Sequence, residues 1–281
     1  MTGIHDQARK GFGQAGAVAA YERGRPGYPA EAVAELVRVL GLAPGATVLD
    51  LAAGTGKLTR QLLATGAALL AVEPVAAMRE RLARILASAP GNASGGPQPW
   101  VRVVGGTAEA IPVRDGSLDA VTVGQAFHWF DDSRAVAELH RVLRPGGRLG
   151  LIWNVRDESQ PSVAAITTIL DRHAGDAPRY RDGRWRAALA AADGFTPLSE
   201  RNFHHLHHLD RASVLDRFAS ISFIAALPAA DRALVLGEID QVVAADPSLA
   251  GQNPTGLPYR TDIYWCERRG DGDDGGAARS A

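Results

Sequence analysis

The stretch Val48-Leu-Asp-Leu-Ala-Ala-Gly-Thr-Gly-Lys-Leu-Thr59 constrains this chain more than any other. Val48 to Leu51 is apolar apart from Asp50 and predicts the end of a buried strand. A small-residue turn, Ala52-Ala53-Gly54-Thr55-Gly56, follows, and Leu58, Leu62 and Leu63 then recur at helical spacing. Strand, glycine turn and helix form the first unit of a nucleotide-binding α/β fold. Glycine lets the backbone approach a ligand where a Cβ would collide, and the helix start offers unpaired N–H groups at a positive dipole end. A phosphate loop of the form G-x-x-x-x-G-K-[ST] fails, because Leu51 holds the place of its first glycine and Leu58 follows Lys57. The dinucleotide pattern G-x-G-x-x-G/A is met at Gly54 and Gly56 but ends in Thr59. A glycine turn without a ligand is the bland alternative.

The same loop resembles the D-x-G-x-G-x-G pattern of class I S-adenosylmethionine-dependent methyltransferases, with Asp50, Ala52, Gly54 and Gly56 in its four places. Ala52 replaces the first glycine, which a methyl group tolerates if φ stays negative. Asp50 suits a ligand with an ammonium group better than one with a pyrophosphate. Ala67 to Glu73 is an apolar strand ending in an acid, followed by Pro74 and a helix over 75–87. An acid there can accept both hydroxyls of an adenosine ribose, in NAD as in S-adenosylmethionine. The run Gly105 to Pro112 with Asp115 to Val123 is similar to a signature of the type 11 methyltransferases. Gln125-Ala-Phe-His-Trp-Phe130, with Tyr21, Arg25, Pro26, Tyr28 and Pro29 ahead of it, resembles the branch that includes trans-aconitate methyltransferase-like enzymes. The resemblance runs from Phe12 to Arg268.

That resemblance implies an α/β, Rossmann-like class I fold, with a mostly parallel seven-stranded sheet, an antiparallel last strand, helices on both faces and a helical cap. The alternating pattern places strands at Val48–Leu51, Ala67–Glu73, Val101–Val104, Leu118–Val123 and Arg148–Trp153, with a sharp turn at Arg144-Pro-Gly-Gly147. The expected organisation is a lid segment over 1–29 and a cofactor-binding core over 30–155. Cap helices over 156–245 include a sheet strand near 198–209; a final strand lies within 246–269 and a disordered tail over 270–281. Ser88 to Pro99 is Gly/Ser/Pro-rich and reads as a mobile loop. Val163–His173, Arg184–Ala192, Val214–Leu227 and Asp231–Val243 read as helices. In the strand Leu198–Leu209, alternation splits His204, His205, His207 and His208 between two faces, so they do not read as a metal site.

By resemblance, the cofactor contacts are Tyr21, Arg25, Asp50, Ala52, Ala53, Gly54, Gly56, Glu73, Pro74, Met78, Thr107, Ala108, Glu109 and Gln125. Thr107–Glu109 would meet the adenine edge, although Thr107 also fits a helix N-cap. Tyr21, Gln125 and His128 are the candidates for catalysis. His128 reads either as a general base, since imidazole titrates near neutral pH, or as a structural histidine. Arg25, Arg156, Arg179, Arg181 and Arg260 are candidate carboxylate anchors, because guanidinium pairs bidentately with that group. Trp185, Phe218 and Phe223 read either as acceptor-pocket walls or as packing.

The 281 residues carry a formal net charge of −1, which gives no global basic field for nucleic acid. The lone cysteine, Cys266, excludes a disulfide framework. No apolar run reaches membrane-span length and no signal peptide is apparent, so a cytoplasmic enzyme is expected, as monomer or homodimer. The reading is S-adenosylmethionine-dependent methyl transfer to a small-molecule acceptor, without a metal. A non-catalytic S-adenosylmethionine-binding regulator and an NAD(P)-dependent oxidoreductase are its rivals.

Overall fold

The computed structural model describes residues 18, 22, 24–88, 100–175, 178–250 and 255–270. Tyr21, most of the lid segment, most of the Ser88–Pro99 loop and the tail beyond Gly270 lie outside the described residues. The chain alternates strand and helix as the pattern requires. Helix α1 (Ala30–Leu40) leads into β1 (Thr47–Leu51), α2 (Lys57–Leu62), β2 (Ala68–Val72), α3 (Ala76–Ala87), β3 (Val101–Val104) and β4 (Leu118–Gly124). Then come α4 (Asp132–Val142), β5 (Leu143–Arg156), α5 (Pro161–Asp171), α6 (Arg184–Ala190) and β6 (Ser199–Leu209). Helices α7 (Arg211–Ala219), α8 (Ser222–Ala225), α9 (Ala229–Ala245) and α10 (Pro247–Ala250) precede β7 (Thr255–Glu267).

The strands form one seven-stranded sheet in the order β3-β2-β1-β4-β5-β7-β6. The first five pair in parallel, and β7 runs antiparallel to both its neighbours. Period-2 alternation divides the central strands between two cores. Val48, Leu69, Ala120 and Ile152 face α1 and α2, while Leu49, Leu70, Val121 and Leu151 face α4 and α6. A third apolar cluster joins α5, α7, α8 and α9 to Leu209, Leu257 and Tyr259 at one end of β6 and β7.

Several local expectations change. Arg144–Gly147 does not stop the strand before it begins; it is folded into β5 as an irregularity, with Leu118 opposite Leu143 and Ala120 opposite Arg148. No helix follows β3: Thr107 bridges Ala110 in a tight turn, so Thr107 caps nothing. The expected helix Val214–Leu227 is two helices, α7 and α8, broken where the Ser220 carbonyl accepts from Arg25 Nη2 at 3.1 Å. Along β6, His204, Leu206 and His208 are exposed while His205 and His207 turn inward towards Tyr259, the split that alternation predicts.

Candidate functional site

The carboxyl ends of β1, β2, β4 and β5 open into one cavity of about 620 Å³. That is where parallel α/β sheets bind ligands, and β1 and β4 are the neighbours at which the strand order reverses. Its walls include Ala52, Gly54, Glu73, Pro74 and Met78 on the β1–β2 side, and Gln125, His128, Trp129 and Arg156 on the β4–β5 side. A smaller pocket of about 30 Å³ lies between the glycine turn and Tyr28, lined among others by Asp50, Ala53, Thr55, Arg25 and Gln125.

The glycine turn is wound tightly. Gly54 and Gly56 have φ of 59° and 82°, and a Cβ at Gly56 would lie 2.2 Å from Leu82 Cδ1. The positive φ constrains Gly56, and any side chain there would also have to move the Leu82 side chain aside. Ala52 also lies in the left-handed region, at φ 57°, so the condition of a negative φ at that position is not met. An alanine there is strained by roughly 1–2 kcal/mol. Gln125, at the end of β4, carries the second such strain with φ 62°. Its N–H donates to Ile152 O at 2.9 Å and its side-chain amide to Asn154 O at 3.2 Å. Two strained residues thus end the two central strands and both face the cavity, where backbone strain is characteristically stored.

The acids are held by different groups. Glu73 accepts the N–H of Gly54 at 2.8 Å and of Val75 at 2.7 Å, which fixes its carboxylate at the cavity wall. Burial raises its pKa despite those bonds. Asp50 is buried beneath the turn and accepts from the hydroxyls of Thr59 at 2.5 Å and Thr122 at 3.1 Å. Burial pushes its carboxyl up to about 6. Thr55 Oγ1, which also lines the small pocket, is buried with no hydrogen-bond partner.

His128 accepts the Trp153 indole N–H on Nδ1 at 3.3 Å. Indole only donates, so the neutral ring carries its hydrogen on Nε2. Burial and the Arg25 charge push its pKa down to about 3. With Nδ1 engaged and the hydrogen on Nε2, the ring as placed presents a donor to the cavity. Thr107, Ala108 and Glu109 do not line the cavity; Glu109 Oε1 accepts the Asp131 N–H at 3.0 Å and Oε2 is buried without a partner.

All five arginines read as anchors line the cavity, and Arg217, which the sequence did not single out, joins them. Of the three aromatics, only Phe223 reaches it. Trp185 is packed in the sheet core beside Trp153, with ring centroids 4.6 Å apart, and Phe218 is buried in the cluster of α5, α7, α8 and α9. The entry segment is latched on several sides. Arg25 Nε donates to Ser220 Oγ at 3.2 Å, Asn154 Nδ2 to Gly27 O at 2.9 Å, and Gln61 Nε2 to Tyr28 O at 2.7 Å. Tyr28 is buried in the α1-side core, so the end of the entry segment is packed against the sheet. Among the described residues no group of three or more His, Cys, Asp or Glu could hold a metal ion, and no helix is long and apolar enough to cross a membrane.

A family model described as a methyltransferase domain matches residues 49–151. The chain is 40% identical over 245 residues to an uncharacterized methyltransferase of Mycobacterium tuberculosis, Rv3342, covering 87% of this chain and 91% of that protein. It is 32% identical over 252 residues to an uncharacterized methyltransferase-like protein of Schizosaccharomyces pombe, C25B8.10, covering 89% and 93% of the two chains. The crystal structure of YcgJ from Bacillus subtilis has a similar fold, with a TM-score of 0.55 at 20% identity, over 85% of this chain and 99% of that one.

Proposed function

The chain belongs to the class I S-adenosylmethionine-dependent methyltransferases, and from that premise we propose that it methylates a small-molecule acceptor held in the 620 Å³ cavity. The observation that carries this reading is the convergence on one cavity of the glycine turn, Glu73, Gln125 and His128. Membership of the family implies S-adenosylmethionine as methyl donor. When bound, it supplies an already activated methyl group, so the protein's contribution is orientation, exclusion of water and control of the acceptor's proton.

The residues present fit such a donor. Glu73 keeps free lone pairs beyond its two backbone bonds and is proposed to accept the ribose hydroxyls. Ala52–Gly56 offers backbone close to the cavity, and the orphaned Thr55 hydroxyl faces the small pocket beside Asp50, which supports placing the polar methionine end there. Pro74 and Met78 supply apolar wall beside Glu73. For the adenine edge, Ala108 and Glu109 rest on the family resemblance alone. Tyr21, outside the described residues, is proposed as a donor contact on the family resemblance alone. His128 donates from Nε2, and Gln125 is held in its strained conformation to position the acceptor. The α5 and α7–α9 cluster, which brings Arg217 and Phe223 to the wall, is read as the cap over the acceptor side.

Incubation of the full chain with S-adenosylmethionine and a panel of small-molecule acceptors, read by S-adenosylhomocysteine release, tests this. Turnover with at least one acceptor is expected. Binding of the donor with no release across a chemically broad panel would instead favour a protein that holds the donor without using it.

A further inference from the structure

A further cavity, of about 370 Å³, shares no lining residue with the large one. It lies at the other end of the sheet. Arg148, which begins the regular pairing of β5 with β4 after the bulge, lines it, whereas Trp153 to Arg156 at the far end of that strand line the large cavity. Arg38 comes to it from the last turn of α1, Thr196 and Ser199 from the run into β6, and Trp265 and Glu267 from the end of β7. Each guanidinium is held on one side only. Arg38 places Nε and Nη2 on the two oxygens of Glu35, both at 2.7 Å, which leaves Nη1 without a partner among the described residues. Arg148 donates from Nε to Glu267 Oε2 at 3.2 Å and from Nη1 to Val39 O at 3.1 Å, which leaves Nη2. Thr196 Oγ1 accepts the Glu267 N–H at 2.9 Å and keeps its own hydrogen to give. Among the described residues the Ser199 hydroxyl and the Trp265 indole N–H have no hydrogen-bond partner. Arg201 also reaches Glu35, at 2.7 Å, so three guanidinium groups meet two carboxylates here. Tying α1 to the sheet accounts for the bonded nitrogens. The remaining donors outnumber the acceptors, are fixed in advance, and carry a surplus positive charge.

We propose that this cavity is a second ligand site, separate from the methyl-transfer cavity, for an aromatic phosphate monoester such as a nucleoside monophosphate. The phosphate oxygens take the free nitrogens of Arg38 and Arg148 and the hydroxyls of Thr196 and Ser199. Donors drawn from four separate segments suit the three spread oxygens of a phosphate better than two coplanar carboxylate oxygens. The aromatic part is favoured by the Trp265 indole, since a ring gains both from an aromatic neighbour and from guanidinium groups beside it. A cavity of this size holds one such molecule. Cys266 also lines it, but burial pushes its thiol up to about 12, so it stays neutral and offers no thiolate to a metal ion.

Isothermal titration of the full chain with adenosine monophosphate tests this, with S-adenosylhomocysteine at saturation to fill the large cavity. Adenosine and inorganic phosphate are titrated in parallel. Adenosine monophosphate should bind at one site per chain, about tenfold or more tighter than either fragment. Arg38→Gln should weaken it by about tenfold while S-adenosylhomocysteine affinity stays within about twofold of the parent, because Arg38 lies far from the donor cavity. Trp265→Leu should remove most of the advantage over inorganic phosphate. Arg38 is exposed on α1, so Arg38→Gln decides the matter even if Trp265→Leu fails to fold. It also identifies the site whether or not S-adenosylhomocysteine binds, since Arg38 lines only this cavity. No binding of adenosine monophosphate, binding no tighter than that of inorganic phosphate or adenosine, binding that Arg38→Gln leaves unchanged, or competition with S-adenosylhomocysteine would each overturn the proposal.

Discussion

Ala52 and Gln125 sit at φ 57° and 62° at the ends of adjacent central strands, and the strain at Ala52 is testable because only a methyl group causes it. Ala52→Gly should raise the denaturation midpoint by an amount equivalent to about 1 kcal/mol, strain relief exceeding the added unfolded-state entropy. A lower midpoint would mean that the methyl group is held by packing that outweighs the strain. Asp50 gives a pH signature. Its folded value of about 6 lies above the ordinary carboxylate value of 3.8, so the folded state binds the proton more tightly. Its contribution therefore favours the fold at low pH and is lost as pH rises from about 4 to about 6. Asp50→Asn should gain on the parent through that window by roughly 1–3 kcal/mol in urea unfolding, whereas a pH-independent difference would place the Asp50 carboxyl in an unperturbed site. His128 should leave no limb near pH 6.5 in the rate profile, since its pKa is pushed down to about 3; a limb there that disappears in His128→Asn would restore it as a base. Asp50 and Glu73 were legible because they stand at fixed offsets from strand ends and a glycine turn. Arg217 was not: spacing along α7 makes it one more arginine on an amphipathic helix, and only packing against Tyr259 buries it. The tautomer of His128 was equally hidden, because it depends on Trp153, which reaches it from a neighbouring strand.

Among the elements, the segment from Gly24 to Pro29 ties the two halves of the cavity together. A Cβ at Gly24 would stand 2.4 Å from the backbone nitrogen of Arg217, so the segment lies directly on α7. Gly24→Ala should push the two apart and cost about 1–3 kcal/mol, measurable by thermal unfolding; an unchanged midpoint would mean that the contact is loose. Hydrogen exchange should show the Tyr28 amide, which donates to Gln61 Oε1, protected with or without S-adenosylhomocysteine, and residues before Gly27 gaining protection on binding. Equal protection throughout would make the whole segment a strut. The strands and their alternation were readable from apolar runs bounded by turn residues, as was the apolar face of α1, where Val33, Leu36 and Leu40 are buried. The break between α7 and α8 was not readable, since the residue that takes the Ser220 carbonyl, Arg25, is remote in sequence. Nor was the turn at Thr107–Ala110, whose Glu109 is anchored by the start of a later helix rather than by its own neighbours.

For the whole molecule, the sheet order and the antiparallel β7 came from resemblance, because periodicity predicts strands but not their neighbours. The sheet brings the first glycine turn, the acid after β2 and the run after β4 to one edge, and that assembly makes one cavity, the proposed donor site, out of three separate motifs. The account stands on that site. Isothermal titration of the full chain with S-adenosylhomocysteine tests it most directly, with NAD as the comparison and Glu73→Ala as the variant. One binding site per chain is expected, with no tighter binding of NAD and a loss of about 1–3 kcal/mol in the variant, where two ribose hydroxyls lose their acceptor. No measurable S-adenosylhomocysteine binding, or tighter binding of NAD, would contradict the account.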